Sequence, residues 1–184
     1  MYKICTTQTS RQRQRELEDG LLKFMLHHQY ENISVSELCD SLGIPRKAFY
    51  RYFSSKEGAL YALIDHALMD FTANFLDESQ PINRGMTADF FRYWLTKKDL
   101  LRALEYSGLS GLLVQRSINL IQTRHHYLEL FFPFIPEESR GYVLIFMVSG
   151  LMSLLVQWQH DHFKKSPNEM GEIAVHILTQ SFLP

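Results

Sequence analysis

The stretch SVSELCDSLGIPRKAFYRYFSSKEGAL, residues 34–60, decides the fold of this chain. Ser34 stands three residues before Glu37, which is the spacing of a capping box, so a helix is predicted to begin just after Ser34. Gly43 suits the left-handed turn that ends a helix, and Pro45 suits the first turn of the next one, predicted from about Pro45 to Phe53. Two short helices joined by so tight a turn predict a helix-turn-helix, whose second helix enters the major groove of DNA.

These two helices are expected to have one buried face and one exposed face. The residues predicted to face inward are apolar and recur at helical spacing: Val35, Leu38, Leu42, Ile44, Phe49 and Phe53. The outer face is then basic and aromatic, with Arg46, Lys47, Ala48, Tyr50 and Arg51. Arginine can donate two hydrogen bonds to guanine, lysine neutralises phosphate, and alanine allows a close approach to a thymine methyl. A face of this composition can also be an ordinary solvated helix surface, so the DNA-binding interpretation depends on the surrounding pattern.

Residues 9–65 resemble the TetR/AcrR family of transcriptional regulators. The resemblance rests on Ser34-Val35 before Leu38-Cys39, on Gly43-Ile44, on the run Phe49-Tyr50-Arg51-Tyr52-Phe53, and on Ser55-Lys56-Glu57. It implies that Tyr50 and Tyr52 contact phosphates or a thymine methyl, that Ser34 and Lys56 bind phosphate, and that Ser36, Arg46 and Lys47 lie where members of the family read bases. The DNA-binding residues expected on this basis are Ser34, Ser36, Arg46, Lys47, Ala48, Tyr50, Arg51, Tyr52 and Lys56.

Four residues depart from the family pattern. Gln29 and Cys39 stand where the family usually has Gly and Ala, and Lys47 and Ala48 stand where it often has Gly and Thr. The last two change the predicted reading face, because they add a cation and remove a hydroxyl. Two alternatives stay open near this face: Tyr52 can be a half-buried aromatic instead of a DNA contact, and the segment with Arg11, Arg13 and Arg15 can either touch DNA or form a solvated helix start.

The chain as a whole predicts an all-α fold of about nine helices without a convincing strand. The first helix is expected from about Ser10 to Gln29, with Leu17, Leu21, Phe24, Met25 and His28 on one stripe. A serine before Lys56 can cap a long fourth helix, and Ser166-Pro167-Asn168-Glu169 is typical of a helix start. We therefore predict a three-helix helix-turn-helix domain at residues 1–56 and a helical bundle for effector binding and dimerisation at residues 57–184.

Charge and composition agree with a soluble protein that binds DNA through its first part. Residues 1–64 hold nine Lys and Arg against seven Asp and Glu, a balance of +2, whereas residues 65–184 have a balance of −3. Cys5 and Cys39 are too few for a disulfide framework, and the polar first twenty residues lack a secretory signal. These features predict a cytoplasmic location.

The second domain is expected to carry two functions. The resemblance implies an effector pocket, for which the aromatic and polar candidates are Phe71, Phe75, Phe90, Trp94, Tyr106 and His125, although aromatics at helical spacing are more often core. The apolar segment 142–158 is short and interrupted for a membrane span, so it predicts a helix of about Glu137 to Phe163 buried by a partner subunit or within its own subunit. Candidate dimer residues are Leu151, Leu154, Leu155, Trp158 and Ile177.

Other function classes have little support in the sequence. A Gly-rich phosphate loop, a Gly-x-Ser-x-Gly turn and histidines at metal-binding spacing are missing, so no enzyme activity, metal or cofactor is expected. The expected function is a ligand-responsive regulator, in the first instance a repressor, that binds a palindromic operator as a homodimer and does not bind membranes. The alternative is a helical protein-interaction module that uses the same fold with weak or no DNA binding.

Overall fold

The computed structural model describes residues 1–75, 84–122 and 135–179. Within these residues the chain forms nine α-helices, a single 3-10 turn at Tyr30–Asn32 and no strand beyond an isolated bridge between Tyr2 and Phe53. The helices are α1 Gln8–Met25, α2 Val35–Ser41, α3 Arg46–Tyr50, α4 Lys56–Phe75, α5 Arg84–Thr96, α6 Lys98–Tyr106, α7 Ser110–Gln122, α8 Glu137–His160 and α9 Pro167–Thr179. The predicted all-α class is confirmed.

Local side-chain chemistry starts the helices where the sequence predicts. The Ser34 hydroxyl accepts from the Glu37 amide at 3.1 Å and the Glu37 carboxylate accepts from the Ser34 amide at 3.0 Å, which completes the capping box of α2. Ser166 and Glu169 form the same arrangement at α9. Ser55 caps α4 by accepting from the Gly58 amide at 3.2 Å.

Three helix ends differ from the predicted ones. Helix α1 ends at Met25, and a 3-10 turn follows it at Tyr30–Asn32. Of the stripe predicted to face inward, Phe24 is half-buried and His28, which lies beyond the helix end, is exposed. Helix α3 stops at Tyr50 because the next residues turn the chain toward the bridge between Phe53 and Tyr2. Helix α8 ends at His160 since His162 and Phe163 both adopt a left-handed φ of 57°.

The described chain divides into two compact units. Unit 1 consists of Met1–Ala67 and Asp99–Leu109, and unit 2 consists of Leu68–Lys98 and Ser110–Pro184. The boundary predicted after residue 56 separates functions, DNA binding from sensing and dimerisation. The division into compact units does not test it, so it stays a prediction.

The core of unit 1 gathers apolar side chains from α1 to α4. Its most buried members include Leu21, Met25, Leu38, Phe49, Phe53, Leu60 and Ile64. The chain passes from α2 to α3 through Gly43, whose φ of +63° confirms the predicted left-handed turn. Next to it, Leu42 approaches Gly20 of α1 so closely that a Cβ on Gly20 would lie 2.7 Å from the Leu42 Cδ1. The turn of the helix-turn-helix therefore rests directly on α1.

A buried polar pair links α1 to α4 inside unit 1. Nδ1 of His66 lies 2.9 Å from both carboxylate oxygens of Glu18, which is almost completely buried. Burial raises the pKa of Glu18, and the hydrogen bond from His66 opposes that rise. The pair satisfies two polar groups that would otherwise be costly in a core.

Unit 2 is organised by the contact of α5 with α9. A Cβ on Gly171 would lie only 2.8 Å from the Ala88 backbone nitrogen, so the two helices approach at van der Waals distance. The Thr87 hydroxyl donates to the Gly171 carbonyl across this contact at 3.2 Å. Beside it, Phe91 of α5 packs edge to face on Trp158 of α8 with ring centroids 5.5 Å apart.

Candidate nucleic-acid interface

Helix α3 is anchored on one side and open to solvent on the other. Phe49 is 0% exposed, and its ring lies 5.1 Å from that of the buried Phe53. On the opposite side the exposed residues of α3 and its end are Arg46, Lys47, Tyr50 and Arg51. The predicted division into an apolar inner face and a basic, aromatic outer face is present in the structure.

The side chains on this outer face are arranged in two ways. The Arg46 guanidinium lies over the Tyr50 ring at 5.9 Å from its centroid, a cation–π contact that fixes both side chains near the middle of the surface. Among the described residues, the Lys47 ammonium and the Arg51 guanidinium have no hydrogen bond or ion pair. Their charges are available to a ligand from outside.

The half-buried Ala48 lies between these cations. Pro45, Lys47, Ala48 and Arg51 line a shallow depression along α3. Because the side chain at position 48 is a single methyl, the α3 backbone can come close to whatever occupies the depression. Arg and Lys around a small apolar spot are the residues that read base edges and hold phosphates.

Ser34 and Ser36 lie at the start of α2. The Ser34 hydroxyl donates to a Glu37 carboxylate oxygen at 2.7 Å, so its hydrogen is already used within the capping box. These hydrogen bonds from the Ser34 side chain and amide hold the pKa of Glu37 below its ordinary value. Ser36 is half-exposed in the first turn.

The structure directs Lys56 into the protein. Its ammonium donates to the carbonyls of Tyr30 and Ile33 at 2.7 Å each and to that of Glu31 at 3.3 Å, and it lies 4.3 Å from the Tyr30 ring centroid. All three N–H bonds of the ammonium are thereby occupied. The family resemblance implies a phosphate contact for this lysine, whereas here it closes the 3-10 turn of residues 30–32 onto the start of α4.

Tyr52 is half-buried and lies beside α3. Its carbonyl accepts from the Lys3 amide at 2.9 Å, which belongs to an antiparallel contact between residues 1–3 and 52–54. This contact was not predicted, since nothing in the sequence of residues 1–5 indicates a partner fifty residues away. Of the predicted N-terminal cations, Arg11 donates to the carbonyls of Cys5 and Thr6, and Arg13 pairs with Glu16 at 3.0 Å. Arg15 lies 4.0 Å from Glu18.

The predicted effector residues are only partly brought together. The ring centroid of Phe71 lies 5.4 Å from those of Phe90 and Tyr93. Trp94 lies beside Tyr93, and its ring is fully buried. Tyr106 belongs to unit 1 and is exposed. The side chain of Phe75 and the whole of His125 lie outside the described residues.

The predicted dimer residues also separate into two groups. Leu155 and Trp158 are fully buried within the subunit, and the Trp158 indole donates to the Lys165 carbonyl at 2.9 Å. The structure therefore gives these two residues a role inside the subunit instead of the predicted contact with a partner. Leu151 and Leu154 are half-buried, and Ile177 is exposed.

Helix α8 has an exposed aromatic pair that was not predicted from the sequence. Tyr142 is 79% exposed and Phe146 is 73% exposed, one helical turn apart. By length and composition alone, α8 is long and apolar enough to cross a membrane. Of its most apolar 18-residue stretch, 22% is buried within the described structure. An amphipathic reading of residues 142 and 146 would have found this pair, since their spacing places them on one face.

An anchored short helix with a basic outer face, preceded by a tight turn and a capped helix, defines a helix-turn-helix DNA-binding protein. Residues 19–63 match the family model described as bacterial regulatory proteins, tetR family. This match covers the helix-turn-helix part of the chain and supports a DNA-binding transcriptional regulator. The resemblance predicted for residues 9–65 is confirmed over residues 19–63.

Solved structures share the fold along most of the chain. A TetR-family regulator from Streptomyces coelicolor is 19% identical with a TM-score of 0.57, over 91% of this chain and 78% of that one. The dihydroxyacetone kinase operon activator DhaS is 14% identical with a TM-score of 0.63, over 90% and 93% of the two chains. The fatty acid degradation regulator FadR from Bacillus halodurans has the same identity and TM-score, over 93% and 96%. No curated protein matches this sequence.

The capping box of α2 makes a prediction that a titration can check. Replacing Ser34→Ala removes the largest cause of the low pKa of Glu37, so that pKa is expected to rise toward its ordinary value, which a 13C-detected carboxyl titration measures. A depressed folded-state pKa stabilises the fold above the unfolded value and loses that contribution as the pH falls through the folded value. The stability advantage of the wild type over Ser34→Ala that comes from this carboxylate should accordingly begin to decline near the ordinary Glu value of about 4.3 and disappear once the pH has fallen through the lower, folded-state pKa.

Glu169 is the internal control, because Ser166 holds its pKa low in the same way at the start of α9. Its titration should be the same in both proteins. An unchanged Glu37 titration in the variant would show that the capping box does not exist in solution.

Proposed function

We propose that this regulator binds a palindromic operator as a homodimer, with α3 of each subunit in the major groove, and that it acts as a repressor released by a small molecule. The observation that carries the proposal is the outer face of α3, where Lys47 and Arg51 have no partner among the described residues while Phe49 anchors the helix from beneath. Unpaired cations on an anchored short helix attract a polyanion, and their binding to phosphates releases counterions from the DNA.

The residues of this surface have distinct proposed roles. Arg46, aligned by Tyr50, reads a base edge, and Lys47 and Arg51 hold phosphates. Ala48 touches a thymine methyl, Tyr50 and Tyr52 contact the backbone, and Ser36 lies at the edge of the surface. Ser34 and Lys56 hold the surface in shape, since a phosphate contact would require each to exchange its present hydrogen bonds.

The dimer proposal rests on α8. Tyr142 and Phe146 expose two large aromatic side chains on one face of a helix, and such patches mark interaction sites in soluble proteins. A twofold partner that places its own α8 and α9 against this face would complete a four-helix interface. The face is then covered by protein instead of lipid, which agrees with a regulator that works on DNA in the cytoplasm. Residues 1–56 are the proposed DNA-binding part and residues 57–184 the part that senses and dimerises.

The effector proposal rests on the aromatic cluster of α4 and α5. The indole N–H of Trp94 is buried without a hydrogen-bond partner among the described residues, a costly state for a donor in a core. An effector with an apolar body and one hydrogen-bond acceptor would satisfy it.

In a thermal-shift screen, compounds that raise the Tm of the protein should also release bound DNA, and stabilising compounds that never affect DNA binding would contradict this role. No enzymatic activity or cofactor is proposed.

Substitutions on α3 separate the proposed roles. After fragments bound by the wild type are enriched from genomic DNA, fluorescence anisotropy measures affinity for the enriched fragment and for unrelated duplexes. Arg46→Ala is expected to reduce the preference for the enriched fragment by about 1–3 kcal/mol, since it removes a bidentate base contact. Lys47→Ala should weaken binding to all duplexes alike and reduce the salt dependence by about one phosphate contact.

The matched control is Lys164→Ala, which removes an exposed lysine of unit 2. Its affinity should equal that of the wild type. If the wild type enriches no fragment, sequence-specific binding fails and the protein-interaction module becomes the better function. If Arg46→Ala and the control behave alike, α3 is not the reading helix.

The dimer has a separate test in analytical ultracentrifugation. Phe146→Glu places a charge on the exposed face of α8 and is expected to turn a wild-type dimer into a monomer that is still folded. Tyr106→Glu, an equally drastic change of an exposed aromatic on α6, should leave the dimer intact. A monomeric wild type, or a Phe146→Glu variant that is still a dimer, would reject this interface.

A further inference from the structure

We infer that residues 1–7, called the arm below, build with α1 and α3 a second contact to the same DNA: a groove for the sugar–phosphate strand beside the major groove that receives α3. The inference rests on the proposed DNA binding by α3 and adds Lys3 as a contact residue. It commits to one occupant, the backbone of the bound duplex.

The arm is held in place by a dense set of contacts. The Met1 carbonyl accepts from the Ser54 amide at 3.0 Å and from the Ser54 hydroxyl at 2.7 Å, and the Lys3 amide donates to Tyr52. The Tyr2 hydroxyl donates to Asp65 at 2.8 Å. On the other edge, the buried Gln14 side chain donates to the Lys3 carbonyl at 3.0 Å. Because these contacts already order the arm in the free protein, its binding to DNA would cost little conformational entropy.

A groove of about 920 Å³ lies between the arm, α1 and the end of α3, entirely within unit 1. Polar and charged side chains make up much of its lining: Lys3, Thr6, Thr7, Thr9, Ser10, Arg13, Glu16 and Arg51. The Thr7 and Ser10 hydroxyls donate within the turn that starts α1, at 2.8 and 2.9 Å. The Lys3 and Arg51 cations and the Thr6 and Thr9 hydroxyls are left to hold phosphate oxygens and sugars. The groove therefore offers the chemistry of a backbone contact along an extended surface.

The charges in the groove favour an anion. Glu16 is the one acidic residue in its lining, and Arg13 and Gln12 already bind this carboxylate at 3.0 and 3.2 Å. Lys3 and Arg51 are exposed, and within residues 1–75, 84–122 and 135–179 their side-chain charges have no partner. Two unpaired cations thus face an open groove whose only carboxylate is neutralised.

Continuity with α3 identifies the occupant. Ala48 and Arg51 line both this groove and the depression on the outer face of α3. A duplex that places a base edge against that depression would bring its flanking strand to the groove, because the two surfaces share these residues.

The test compares Lys3→Ala with Lys23→Ala in the full chain. Lys23 is an exposed lysine in the last turn of α1 and is not part of the groove lining, so it controls for the loss of one charge. Lys3→Ala is expected to lower affinity by roughly threefold to tenfold per subunit for the enriched fragment and for unrelated duplexes alike. The slope of log K against log salt should flatten by about 0.9 for each lysine lost, and base preference should not change.

The outcomes separate this inference from the function on which it rests. If the wild type binds its fragment and Lys3→Ala behaves like Lys23→Ala, the groove is not a DNA contact while the α3 proposal stands. If Lys3→Ala loses affinity with an unchanged salt slope, the arm acts only by supporting α3, and the inference is overturned. If the wild type itself binds no duplex, the proposed function has failed first. Thermal denaturation of both variants shows whether the fold is intact.

Discussion

Burial of Phe49 is the interaction on which the DNA-binding surface depends. Helix α3 has five residues, and a helix of that length does not form in water without tertiary contacts. Burying a side chain of this kind contributes about 1.5–3 kcal/mol, and truncating it to alanine would cost about 3–5 kcal/mol. Phe53 adds a second buried ring just after the helix. The outward direction of Arg46, Lys47 and Arg51 is a consequence of these inward anchors.

The polar residues around this surface fall into two groups by the use of their donors. Ser34, Arg11 and Lys56 bind carboxylate or carbonyl groups inside unit 1, where they fix the start of α2, the arm and the start of α4. Lys3, Lys47 and Arg51 keep their donors for a ligand, as judged over the part of the chain that the structure describes. The first group makes the surface rigid and the second makes it attractive to a polyanion, so shape and charge come from different residues.

Sequence reasoning predicted what local chemistry determines. The capping boxes of α2 and α9 and the left-handed Gly43 each depend on residues within a few positions, and all three are present. The two faces of α3 follow from helical periodicity in the same way. The family resemblance supplied the function, which the match over residues 19–63 supports.

Contacts between distant residues could not be predicted in this way. Lys56 donates to carbonyls 23 to 26 positions earlier, and the arm contacts residues 52–54. No sequence pattern in either segment indicates which distant residues it contacts. Trp158 is apolar and helical whether it faces its own subunit or another one, and only the position of Phe91 decides that it lies inside. Periodicity identifies a buried face without identifying what buries it.

Methylation protection tests the central claim most directly, because dimethyl sulfate modifies guanine N7 in the major groove and adenine N3 in the minor groove. With a genomic fragment enriched by the protein, α3 in the major groove of each half-site predicts protected guanines in two segments about one helical turn, or roughly 10 base pairs, apart on one face of the duplex. Protection confined to adenine N3, or unprotected guanines throughout a bound fragment, would contradict the claim that this short basic helix reads the DNA.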